Sequence, residues 1–180
     1  SVPLSPFSLP CQQGYSNSYP VVGSEGKMNA KEGKLVMIKE RVPLRTHEML
    51  RRELRKGRKA LYISKNPPRQ LQVQLEPVKE NMTALWLSPR PEEDCIPPMN
   101  LKSFEARITD FLKENESSIV VLNGVDVLCS WNGLRPVIES LKRARGRLGK
   151  AELFISLDPS EQNPGYVGAL ERISDEVVCT

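Results

Sequence analysis

Ile119-Val120-Val121-Leu122, running into Asn123-Gly124, is the most β-prone run in the 180-residue chain. Its four apolar residues are continuous rather than alternating, the pattern of a strand covered on both faces. Comparable runs flank it: Leu35-Val36-Met37-Ile38, Ala60-Leu61-Tyr62-Ile63, Ala84-Leu85-Trp86-Leu87 and Leu153-Phe154-Ile155-Ser156-Leu157. Val177-Val178-Cys179 adds a candidate edge strand. Helical spacing fills the intervals. Leu44, Met49, Leu50 and Leu54 mark one face of a first helix, stopped at Gly57, and residues 69–75 a short second one. Leu101, Phe104, Ile108, Phe111 and Leu112 stripe a third, Leu134, Val137, Ile138 and Leu141 a fourth within 133–147, and residues 166–173 a fifth. Short apolar runs alternating with amphipathic helices predict an α/β fold. Its sheet is mostly parallel, five- or six-stranded, with helices on both faces.

This length suits one core and is short for two domains. Residues 1–32 hold Pro3, Pro6, Pro10 and Pro20 among serines and glycines, without helical or strand periodicity. They read as a flexible tail or linker before a domain over 33–180. The formal net charge of +4 permits contact with nucleic acid or an acidic membrane surface without requiring it. No run of about 18 apolar residues is present to span a bilayer. The chain opens on Ser1 without a signal-peptide pattern and reads as a cytoplasmic piece of a longer protein, or as the soluble part of a membrane-attached one. Cys11, Cys95, Cys129 and Cys179 are scattered and far from His47, the single histidine, so no zinc site is expected. They read as reduced structural thiols.

Ligands of an open parallel sheet bind at the C-terminal ends of the strands. That rule selects Lys65 and Asn66 after the second strand, Asn123 and Asp126 at the Ile119 strand, and Asp158 after the Leu153 strand. The turn after Ile38 reads Lys39-Glu40-Arg41-Val42-Pro43-Leu44-Arg45-Thr46. It has no glycine, Pro43 lacks an N–H, and Glu40 repels phosphate, so no phosphate cradle is expected there. Asn123 stands where a magnesium-dependent hydrolase would want an acid. Asp126 is expected to bound the following turn and His47 to lie at the surface, while Glu92-Glu93-Asp94 reads as a solvated loop. Two basic groups remain: one includes Arg51, Arg52 and Arg55, the other Arg143, Arg145 and Arg147. If they share a face, they offer a surface to phosphates. No aromatic residues interleave with them to stack bases.

Several passages carry a resemblance in their order and spacing. They are residues 57–64 leading into Asn66-Pro67-Pro68, Leu85-Trp86-Leu87-Ser88, residues 120–128, and Ile155-Ser156-Leu157-Asp158-Pro159. The combination resembles the mainly archaeal family catalogued as domain of unknown function 835, over roughly residues 33–175. That family is similar to the RecA and KaiC ATPases, which implies a RecA-like three-layer sandwich with Val120–Leu122 as the Walker B strand. The departures at 39–46 and at Asn123 imply a degenerate ATPase site. The resemblance implies a non-enzymatic signalling or regulatory module that needs no cofactor and binds a protein partner or small ligand. Two alternatives stand beside it. One is an unconventional nucleotide-binding ATPase using Lys65 and Asp126; the other, less favoured, is a nucleic-acid-binding accessory domain.

Overall fold

The computed structural model describes residues 33–180, apart from the side chains of 72–74 and 76–78; the expected tail at 1–32 lies outside the described residues. In chain order the elements are β1 (Leu35–Lys39), α1 (Leu44–Arg55), β2 (Ala60–Ser64), α2 (Pro68–Leu75), β3 (Met82–Leu87) and β4 (Cys95–Ile96). Then come α3 (Leu101–Glu114), β5 (Ile119–Asn123), α4 (Val125–Asn132), α5 (Leu134–Gly146), β6 (Glu152–Leu157), α6 (Pro164–Ile173) and β7 (Glu176–Cys179). The seven described strands form one sheet in the order β4-β3-β2-β5-β6-β1-β7, and every pairing is parallel. The sheet therefore has more strands than the five or six expected. The addition is β4, two residues inside the polar 88–98 stretch. Burial of Cys95 and Ile96 beside Trp86 and Leu87 makes it a strand despite its proline-rich surroundings.

Strand order sets the layers. The steps from β1 to β2 and from β2 to β3 run one way along the sheet, and those from β4 through β5 and β6 to β7 run the other. Right-handed crossovers then put α1 and α2 on one face and α3 to α6 on the opposite face. The core follows this division. Leu50, Leu54, Leu71 and Leu75 pack with Val36, Ile38, Tyr62, Val121 and Phe154. Phe104, Ile108, Leu128, Val137, Leu141 and Leu170 pack with Leu35, Met37, Leu61, Ile63, Val120 and Ile155. Alternate residues of each strand serve opposite layers, which is why the strand runs are apolar at nearly every position, Ser156 in β6 aside.

Three details differ from the expectations. The buried face of α1 is Thr46, His47, Leu50 and Leu54, whereas Leu44 is 68% exposed. His47 is thus in the core rather than at the surface; its spacing to Leu50 and Leu54 places it on the apolar stripe. Asp126 lies in the first turn of an additional helix, α4, ended by Gly133 at φ +84° before α5 begins. Among the cysteines, Cys95 and Cys129 are free and buried, while Cys179 is disulfide-bonded, contrary to the expectation of reduced thiols throughout.

At the N-terminal end of the sheet Arg58 joins α1, β5 and β6. Its guanidinium donates to the carbonyls of Ser117 (2.6 Å) and Ser118 (3.3 Å) and to the carboxylates of Glu53 (2.9 Å) and Glu152 (3.1 Å). Burial pushes the Glu53 carboxyl up, but the bonds from Arg58 and Lys56 outweigh it and hold the group below its ordinary 4.5. Arg58→Met is expected to cost about 2–3 kcal/mol, because it strands charge-assisted acceptors. Urea unfolding with an unchanged m-value checks this. Because the folded carboxyl of Glu53 is the more acidic, its contribution is present above pH 4.5 and fades as pH falls through the lower folded value. The acid-side slope of stability is expected to be shallower in Arg58→Met.

Candidate functional site

The connections from β2 and β5 leave to opposite faces although the strands are neighbours, which makes their C-terminal ends a switch point of the sheet. Ser64 and Asn123 face each other there in register. The Lys65 amide donates to the Asn123 carbonyl at 2.7 Å and the Asn66 amide to the Ser64 hydroxyl at 3.0 Å, so both candidates after β2 are tied to it. Lys65 Nζ lies 2.9 Å from an Asp126 carboxylate oxygen, with both side chains about one-third exposed. A β-carbon at Gly124 would meet Leu87 Cδ1 at 2.7 Å and Lys65 Cβ at 3.2 Å. Only glycine allows α4 to start this close to β2 and β3. Asp158 stands beyond β6, where its carboxylate accepts from the Ser160 amide (2.9 Å) and hydroxyl (2.6 Å). Those bonds, with Arg41 and Lys65 nearby, hold its carboxyl below the ordinary range.

The second switch lies between β1 and β6, and here the turn after Ile38 shows its design. Glu40 is 6% exposed. Its carboxylate accepts from the amides of Arg45 (2.9 Å) and Thr46 (3.2 Å), and from the Ser156 hydroxyl at 3.2 Å. Those amides belong to the first turn of α1, whose unpaired N–H groups and positive dipole end favour an anion. The protein supplies that anion itself. The residue that was expected to repel phosphate instead occupies a position where one would sit.

A buried polar network adjoins it. His47 Nε2 lies 2.6 Å from Tyr62 Oη, and the Asn123 side chain also bonds the phenol. Desolvation pushes the Tyr62 hydroxyl far above its ordinary value, with the nearby Glu40 carboxylate adding to the shift. Burial likewise raises the Cys129 thiol to about 11, which keeps it protonated at neutral pH. Neither is poised as a nucleophile. Elsewhere Glu92, Asp94 and Cys95 bring ligand atoms within 4.8 Å of one another, with both carboxylate residues exposed and the thiol raised by burial.

The two basic groups lie on opposite faces of the sheet, so they do not form one surface. On α5, Arg143 grips Glu105 with bonds of 2.6 and 3.1 Å, Arg145 pairs with Asp175, and Arg147 reaches Thr109 at 3.1 Å and Glu105 at 3.7 Å. On α1, Arg52 lies 3.8 Å from Glu48, with Arg55 exposed beyond it and Arg51 half-buried.

Sequence reasoning did not single out Glu40, His47, Tyr62 or Ser156 as one group. One available signal was the acid at the end of a strand, five and six residues before the first amides of a helix.

Removing the Glu40 carboxylate leaves two amides and a hydroxyl without their acceptor in a buried site. Glu40→Ala is expected to cost about 2–4 kcal/mol, and Glu40→Gln about half as much because one oxygen acceptor survives. Thermal unfolding of the three proteins side by side checks the order. Gly124→Ala is expected to cost about 1–3 kcal/mol through overpacking against Leu87.

No curated protein matches the chain. The model of one family does, over residues 42–172, from within the β1–α1 turn into α6, so that β1, Glu40 and β7 lie outside the match. The chain belongs to the family described as Protein of unknown function (DUF835).

Proposed function

We propose that this chain is a non-enzymatic regulatory module on a degenerate RecA/KaiC-like fold, binding a protein partner or small ligand at the C-terminal edge of its sheet. The observation that carries the reading is the Glu40 carboxylate lodged at the start of α1. A strand, a turn and a helix stand where a nucleotide hydrolase would hold its phosphates, and the turn is filled from within. Two further features support it. Lys65 and Asp126 neutralise each other at 2.9 Å, and Asn123 places an amide at the end of β5. Neither arrangement leaves an acid free to hold magnesium or a lysine free to grip phosphate.

A partner surface has support at the same edge. The described large apolar side chains that stand most exposed are Val42 (54%), Leu44 (68%), Met99 (43%) and Trp131 (57%). Val42 belongs to the β1–α1 connection and Leu44 opens α1, while Met99 belongs to the β4–α3 connection and Trp131 to α4 after β5. Each connection leaves a C-terminal strand end. The Asn132 side-chain amide bonds the Pro98 carbonyl at 2.8 Å, drawing the Met99 loop toward the end of α4. Exposed tryptophan and methionine in such positions are the anchors typical of protein interfaces.

Calorimetric titration of the whole chain with ATP, ADP and GTP in the presence of magnesium tests the reading. No heat of binding is expected up to millimolar nucleotide, and no increase in thermal stability. Micromolar binding lost in Lys65→Ala or Asp126→Asn would overturn it in favour of a nucleotide-binding ATPase.

A further inference from the structure

We propose that the outer face of α1, with the turn that precedes it, docks on an anionic lipid surface. This does not rest on the function proposed above: it shares Val42 and Leu44 with the partner surface described there, but it is carried by the charge on the solvent side of α1, which that reading does not use. Residues 41–56 contain six arginines and lysines against two carboxylates, an excess equal to the net charge of the whole chain. The excess is therefore local: positive charge is concentrated on one helix while the remainder balances. At the C-terminal end of α5, by contrast, Arg143, Arg145 and Arg147 face Glu105 and Asp175.

Helix geometry directs the charge outward. His47, Leu50 and Leu54 face the sheet, so Leu44, Arg45, Glu48, Arg52 and Arg55 form the opposite stripe. Arg45 and Arg52 share the single carboxylate of Glu48, at 3.2 and 3.8 Å, with all three side chains 41–58% exposed. Such pairs are weak in water and leave one positive charge of the three in excess. Arg41 and Arg55 are exposed as well, with Asp158 within electrostatic reach of Arg41.

The apolar component separates lipid from nucleic acid. Val42 and Leu44 are 54% and 68% exposed on either side of Pro43, at the tip from which the basic stripe begins. A phosphate backbone gives those side chains nothing to bury against. The interfacial zone of a bilayer accepts them, while arginines beside them meet anionic headgroups. Glu40 holds this turn by its bonds to Arg45 and Thr46, so the tip is ordered before it meets a membrane.

Co-sedimentation of the whole chain with phosphatidylcholine vesicles, and with vesicles that also contain phosphatidylserine, tests the inference. Binding is expected only to the anionic vesicles and is expected to weaken with added salt. Each arginine near such a surface contributes about fivefold in partition, so Arg52→Gln with Arg55→Gln is expected to lower binding about thirtyfold. Val42→Ser with Leu44→Ser, both at exposed positions, is expected to lower it about tenfold. Lys102→Gln with Arg135→Gln removes the same charge from the opposite side of the sheet and is expected to change binding less than twofold. Equal loss in that control, equal binding to neutral vesicles, or no binding at low salt would each overturn the proposal. Duplex DNA bound as tightly as the anionic vesicles, with no effect of the serine variants, would replace it with a nucleic-acid surface.

Discussion

A carboxylate taken out of water must find donors, and Glu40 finds three: two amides of the first turn of α1 and the hydroxyl of Ser156 on β6. Through them β1, α1 and β6 are joined at one point, on the edge of the sheet where open α/β folds keep their ligands. The direction of α1 follows, because its first turn is held to the end of β1. So does the projection of Val42 and Leu44, which lie in the tight stretch between the carboxylate and the amides it binds. The Glu40 contact therefore sets both what the edge excludes and what it presents.

The other strand ends are closed in a similar manner. Lys65 spends its charge on Asp126, Asn123 bonds the phenol of Tyr62, and Asp158 caps its own turn. Groups that would serve a reacting ligand in an enzyme are instead satisfied by one another. This mutual satisfaction is what supports the proposed reading of the edge as a binding surface. It suits a surface read by shape, charge and a few exposed apolar anchors.

The layers of the fold were legible in the sequence because both core faces draw on the same continuous strand runs, and the run from Ile119 is the clearest of them. Val177-Val178-Cys179 was also readable as an edge strand. What escaped were elements fixed by tertiary contact. β4 has two residues, and its pairing with Trp86 and Leu87 outweighs the turn-forming residues around it. α4 is eight residues closed by a glycine, too short for periodicity to separate from a turn. His47 was misplaced because polarity suggested the surface, whereas its partner is Tyr62, fifteen residues away on another element. For the site, strand-end reasoning found Lys65 and Asp126 as separate candidates; that they form a pair depends on α4. The role of Glu40 escaped because repulsion of phosphate and replacement of phosphate leave the same trace in a sequence.

The most direct measurement is a crystal structure of the whole chain grown or soaked in concentrated phosphate. The account predicts the Glu40 carboxylate within hydrogen-bond distance of the Arg45 and Thr46 amides, with no phosphate at the start of α1. A phosphate bound to those amides, with Glu40 turned out to solvent, would contradict it and return the turn to the class of phosphate-binding loops.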